Sequence, residues 1–241
     1  MKFKSLISSL CLVVVAQLSA SAQAEVVIHG TRIVYPADAR ETTVQVTSSG
    51  LKPSLVQVWI DDGDPKSTPE NSNAPFVITP PLSRVDAGKS QAFRVLALPS
   101  AAQLSQTQET LYWLNVLDIP AKPKQEENAA PMNYLQLAIR SRIKFFYRPT
   151  LIQDQAAKAG EKIQWLKRDQ LIIAKNPTPF FITIKGINQT LGKNTVDIFP
   201  EGLMLKPFSE ESINLKVSNF DKLSYVTIND FGGDNEYNLK F

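Results

Sequence analysis

Between Asn133 and Pro149 the chain alternates. Leu135, Leu137, Ile139, Ile143, Phe145 and Tyr147 hold odd positions, with only Ser141 breaking the apolar series, and Gln136, Arg140, Arg142, Lys144 and Arg148 hold even ones. A period of two puts the two sets on opposite faces of a β-strand. Leu135 to Tyr147 is about thirteen residues, or about 43 Å of strand, against about 5–6 residues for a common one. One small sandwich does not need that length, so part of the strand is expected to overhang or to change sheets through a bulge. Pro149 stops it. Two readings of the apolar row stand. Either every odd residue faces the strand's own core, or Leu135, Leu137 and Ile139 are offered to another chain, because an exposed apolar edge is an aggregation hazard unless something pairs with it.

Strand follows strand ahead of this stretch. Val26–Tyr35, Thr42–Thr47, Leu55–Ile60, Phe76–Thr79, Ala92–Leu98 and Leu111–Ile119 are β-rich, and turn residues such as Ser49-Gly50, Asp61 to Pro65, Pro80-Pro81 and Asp86-Ala87-Gly88 separate them. Seven or so short strands in just over a hundred residues suit an immunoglobulin-like sandwich. Ala121–Pro131 has no apolar period and reads as a mobile loop. Beyond Thr150 the pattern repeats in Leu171–Ala174, Phe180–Gly186, Thr195–Phe199, Ile213–Val217 and Leu223–Ile228, with weaker runs at Gln164–Leu166, Leu203–Leu205 and Tyr237–Phe241. The expected architecture is all-β: two sandwiches, 25–149 and 150–241, joined with almost no linker and meeting at an angle around a cleft. Ile152–Ile163 is the best helix candidate, and Gly160 argues against it.

Residues 1–24 read as a secretory signal. Lys2 and Lys4 precede an apolar run from Leu6 to Leu18, and Ala22-Gln23-Ala24 is a small-x-small cleavage site. The run is too short for a good membrane span, so membrane insertion is not expected. Loss of both lysines lowers the formal charge from +3 to +1, which leaves nucleic acid as a poor partner. The sole cysteine, Cys11, leaves with the signal, so neither disulfides nor thiol chemistry remain. The sole histidine, His29, has no cysteine or second histidine for a metal site and reads as structural. No nucleophile elbow, phosphate loop or spaced carboxylate pair is present, so neither an enzyme nor a cofactor is expected.

Five segments, in order, resemble the periplasmic pilus (fimbrial) assembly chaperones of the chaperone–usher pathway. They are Pro80 to Val85 with Gly88; Gln108 to Val116 running on to Ile119-Pro120; Ile143 to Pro149; Asn176 to Phe181; and Ile228 to Gly233. The resemblance covers both domains. It implies a boomerang of two immunoglobulin-like domains that caps pilus subunits without ATP and delivers them to an outer-membrane usher. It also implies roles for particular residues. Arg32 and Lys144 would hold the C-terminal carboxylate of a subunit in the cleft. Leu135, Leu137 and Ile139 would fill the groove of a subunit lacking its last strand. Glu109, Arg148 and Asp230 would form an ion cluster fixing the angle between domains. A moderate loop at 121–131 and the lack of mature cysteine resemble the short-loop branch, associated with rod-like pili. Self-association through the apolar strand is a further expectation. The alternative is an exported two-domain adhesin or ligand-binding protein, which would hold a folded ligand through loops and ignore Arg32 and Lys144.

Overall fold

The computed structural model describes residues 26–122, 134–168, 171–215 and 222–241. The signal segment and most of the 121–131 loop lie outside them. The first domain contains β1 (Val26–Ile28), β2 (Arg32–Pro36), β3 (Thr42–Ser48), β4 (Ser54–Asp61), β5 (Phe76–Thr79), β6 (Leu82–Val85), β7 (Ser90–Ala97), β8 (Thr110–Pro120) and β9 (Ile139–Arg148). They form a four-stranded sheet in the order β1-β3-β7-β5, packed against a five-stranded sheet in the order β2-β9-β8-β4-β6. Tyr35, Val44, Val46, Phe93, Leu114 and Phe145 fill the space between them, all at most 1 % exposed. Aromatic rings order this core: Phe76 meets Phe145 and Tyr112 edge-on, at centroid separations of 4.8 and 5.2 Å.

The second domain contains β10 (Gln164–Arg168), β11 (Leu171–Lys175), β12 (Ile182–Leu191), β13 (Asn194–Asp197), β14 (Leu203–Leu205), β15 (Glu210–Asn214), β16 (Leu223–Ile228) and β17 (Asp234–Asn238). One sheet runs β10-β11-β15, and the other runs β13-β12-β16-β17 with β14 also on β12. Ile172, Ile184, Ile187, Leu205, Ile213 and Leu215 form its core. The two-sandwich, all-β architecture expected from the strand pattern is therefore observed.

Several elements differ in detail. The run Val26–Tyr35 is two strands rather than one, because Gly30 takes φ +124° and lets the chain leave β3 and pair with β9. His29 sits at that break, exposed, with Nε2 2.7 Å from Thr47 Oγ1. The short β6 is absent from the strand pattern, although it lies within the Pro80–Val85 segment that carries part of the resemblance. The last strand lies at Asp234–Asn238, earlier than Tyr237–Phe241. Thr150–Lys158 and Gly160–Lys162 are 3₁₀ segments, so the helix candidate is not an α-helix.

The most consequential difference concerns the long strand. Regular pairing begins at Ile139, opposite Asp118 of β8, and runs without a bulge to Tyr147 opposite Thr110. Leu135 and Leu137 thus precede β9 instead of belonging to it. The β8–β9 ladder lapses at Asp118, two residues before β8 itself ends at Pro120, which has no N–H to give. Of the alternatives raised by the strand's length, the overhang is the one observed.

Candidate functional site

β2 is the element that gives the site its form. It pairs with β9 in parallel, and its first residue, Arg32, lies directly opposite Lys144. Two cations that are 112 residues apart in the chain thereby become lateral neighbours on the outer face of the sheet. Each is met by the second domain. Arg32 Nη1 donates to the carbonyl of Ile228 at 3.0 Å, and Lys144 Nζ donates to Thr183 Oγ1 at 2.8 Å. Thr183 and Ile228 are themselves paired across β12 and β16. A cross-strand pair of one domain therefore faces a cross-strand pair of the other, across an open cleft that Trp113, Arg142, Lys185 and Asp234 also line.

The cleft is partly dry. Burial, reinforced by the charge of Arg32, pushes the Lys144 ammonium down to about 8. Burial also lowers Arg32, against the opposing charges of Asp230 and Glu109. Arg32 Nε is buried with no hydrogen-bond partner. Crowded, incompletely bonded cations are an electrostatic cost to the free protein, and an anion placed between them relieves it.

Glu109, Arg148 and Asp230 do come together. Arg148 Nε donates to Glu109 Oε1 at 2.7 Å, while Nη1 and Nη2 donate to the two oxygens of Asp230 at 2.6 and 2.8 Å. Glu109 Oε2 accepts the Phe181 N–H at 2.8 Å, and the Glu109 N–H donates to the Pro179 carbonyl. The Arg148 guanidinium also lies over the Phe180 ring, 5.4 Å from its centroid. Burial raises the Glu109 carboxyl, with Arg148 and the Phe181 N–H pulling the other way. Burial disfavours charge on Arg148 as well, but the bonds from Asp230 and the charge of Glu109 outweigh it and raise that group. Gly232 sets the approach of the domains: it sits at φ +82°, where an added Cβ would come within 2.6 Å of Thr31 Oγ1, next to Arg32.

Leu135, Leu137 and Ile139 are 83, 62 and 54 % exposed. They follow the odd, core-facing register of Ile143 and Phe145, yet they lie beyond the sandwich that buries those residues. β2 covers β9 only from Lys144 onward, so among the described residues nothing pairs with 139–143 on that side. The reading in which all odd residues face their own core is thus incorrect for these three.

The even positions hold what the sequence did not reveal. Alternation puts Arg140 and Arg142 on the face opposite the apolar row and says nothing of what they meet there. Arg142 binds the fully buried Asp61, and Arg140 binds Asn115, with the guanidiniums stacked on Trp59 and Trp113. Thr183 carried no sequence signal. Trp59 and Asp61 on one strand, and Trp113 and Asn115 on the next, alternate in the same way and are the hint of a polar outer face.

Two β-sandwich domains meeting at a cleft that holds a pair of cations, with an exposed apolar row leading into the strand that carries one of them, define the class by its fold and site. Comparison with known proteins gives the family. Residues 25–153 match the N-terminal domain of the PapD pili and flagellar-assembly chaperones, and residues 158–239 match the PapD pili assembly chaperone C-terminal domain. Chaperone protein FimB/FhaD of Bordetella pertussis is 36 % identical over 96 % of this chain and 94 % of its own length. Chaperone protein MrkB of Klebsiella pneumoniae is 40 % identical over 87 % of this chain and 88 % of its own. Among solved structures, the Pseudomonas aeruginosa CupB2 chaperone superposes with a TM-score of 0.75 at 30 % identity, over 89 % of this chain and 100 % of that one. A Salmonella enterica SafA pilin complex with the SafB chaperone gives 0.71 at 25 % identity, over 91 and 99 %. The chain belongs to the pilus-assembly chaperone family. It is a fimbrial chaperone of the chaperone–usher pathway, not an enzyme.

Proposed function

We propose that this chaperone works in the periplasm, after removal of residues 1–24, and binds pilus subunits by lending them a strand. The segment 135–139, continued by β9, lies along the groove of an incomplete subunit. Leu135, Leu137 and Ile139 enter that groove, while the open β9 edge supplies backbone hydrogen bonds. Arg32 and Lys144 hold the C-terminal carboxylate of the subunit and so fix the register between the two chains. Glu109, Arg148 and Asp230 keep the domains 25–149 and 150–241 at the angle that aligns the pair of cations. The capped subunit then passes to an outer-membrane usher. The short-loop branch assignment belongs to this same proposal, since residues 123–133 lie outside the described structure.

One observation carries the reading. The exposed apolar row runs directly into β9, and five residues beyond Ile139, where β2 begins to cover that strand, Lys144 stands opposite Arg32. Each buried Leu or Ile would contribute about 1.5–3 kcal/mol, and the carboxylate selects the register. The structure of SafA pilin with the SafB chaperone supports a pilus subunit as the partner. The test is periplasmic co-expression with a subunit from the same source. Wild type is expected to keep the subunit soluble and to co-purify with it, and Lys144→Ala to lose it. Equal recovery with Lys144→Ala would remove the anchor, and failure of wild type with every subunit would remove the chaperone reading of the strand.

A further inference from the structure

A fully buried carboxylate, Asp61, lies outside the cleft at the end of β4. It accepts from Arg142 Nε at 3.0 Å and Nη2 at 2.5 Å, from Asn115 Nδ2 at 2.7 Å and from the Gly63 N–H at 2.8 Å. Asn115, on the intervening β8, turns its Oδ1 to Arg140 Nε and Nη2 at 2.9 and 2.7 Å. Arg140 also donates to the Pro65 carbonyl and to Ser67 Oγ, which accepts the Trp59 Nε1–H as well. The guanidiniums lie 4.7 and 4.3 Å from the centroids of Trp59 and Trp113. Every bond in this network ends on residue 140 or 142 of β9, or supports one that does.

That is the stretch where β9 is otherwise held on one side only. β2 does not reach it, and the apolar row leaves the sandwich just before it. The backbone ladder to β8 sets which face each residue takes, but an edge strand held on one side only can still twist and fray away from the sheet. Fastening the even face does fix the twist, and with it the direction in which the odd face points.

We propose that Asp61 and Asn115 are positioning residues for the donor strand: by holding Arg140 and Arg142 flat on the outer face, they aim Ile139, Leu137 and Leu135 outward. None of the four polar side chains needs to touch the pilus subunit. The inference rests on the strand-donation reading above. Gln136, whose Nε2 donates to the Pro120 carbonyl at 2.6 Å, extends the same fastening past the end of the ladder.

The test uses the whole chaperone carrying Asp61→Asn or Arg142→Gln, with Arg142→Lys as the conservative partner and Leu137→Glu as the control for strand donation. Amide hydrogen exchange and capture of a pilus subunit are measured together. In both disruptive variants, exchange at residues 139–143 should rise about tenfold or more, with 145–147 unchanged and capture about tenfold weaker. Arg142→Lys, which keeps a donor for Asp61, should recover most of both. Unchanged exchange at 139–143 in Arg142→Gln overturns the proposal, even if Asp61→Asn fails to fold. Faster exchange with undiminished capture overturns it too, provided Leu137→Glu abolishes capture. Capture that survives Leu137→Glu instead removes the strand-donation reading on which the proposal stands.

Discussion

Lys144 gives the sharpest test of the carboxylate anchor. In the free protein its ammonium titrates near 8, pushed down by burial and by Arg32 alongside. A pilin carboxylate beside Lys144 favours the charged form and returns its pKa toward the ordinary lysine range of about 10.4. Below pH 8 the ammonium is already charged in both states, so affinity is flat. Between about 8 and 10.4 each binding event takes up a proton, and affinity should fall by a factor approaching ~10 per pH unit. Free-protein stability has the opposite slope. The unfolded chain holds the Lys144 proton to higher pH than the folded one, so this group's contribution to stability rises across the same window. A tenfold weakening of binding per pH unit while the chaperone itself is being stabilised cannot be alkaline denaturation. The assay is calorimetry with a peptide copying the C-terminal end of a pilin, with a blocked N-terminus and no titrating side chains, run at pH 7, 8, 9 and 10 in buffers of differing ionisation enthalpy. Proton uptake should approach about one per complex near pH 9, and it should vanish in Lys144→Met and with the C-terminal amide of the peptide. A flat wild-type profile, or uptake that persists with the amide, would refute the argument.

Two further outcomes follow from the same geometry. Arg148→Ala strands the buried Glu109 carboxylate and leaves Asp230 unpaired, which should cost about 3–5 kcal/mol in urea unfolding and broaden the domain angle seen by solution scattering; unchanged scattering and stability would count against the ion cluster. Leu137→Glu alters a residue that is 62 % exposed, so the unfolding midpoint should hold while capture of pilus subunits is lost; a stable variant that still binds them would mean that the row is not inserted.

Alternation made the sandwiches legible, because core residues such as Val44, Val46, Phe93 and Phe145 sit where a period of two puts them. It could not show where β9 begins, since Leu135 and Leu137 carry the same pattern although pairing with β8 starts only at Ile139 opposite Asp118. The split at Gly30 was hidden for a related reason: Val26 to Tyr35 is apolar enough to read as one strand, and only φ +124° moves it between sheets. Arg32 and Lys144 carried no local signal as a pair, because their adjacency is made by a parallel register across more than a hundred residues. They were named through family resemblance, as were Glu109, Arg148 and Asp230. Asp61 was lost because turn chemistry explained it well enough: an aspartate before Asp62-Gly63 reads as the start of a loop, and its Gly63 bond is of that kind. Its other bonds come from strands distant in sequence.

The facing of Arg32–Lys144 by Ile228–Thr183 limits how this molecule can be taken apart. A cut near Pro149 would leave two sandwiches, each with its own filled interior, and two half-sites. The N-terminal fragment would retain both cations but lose the carbonyl and hydroxyl that orient them, and Lys144 would be more open to water while keeping Arg32 alongside. On the proposed reading, anion recognition would belong to the docking of two bodies within one chain, not to either one. Changes far from the cleft that alter this docking would therefore read out as changes in the register of the bound pilin.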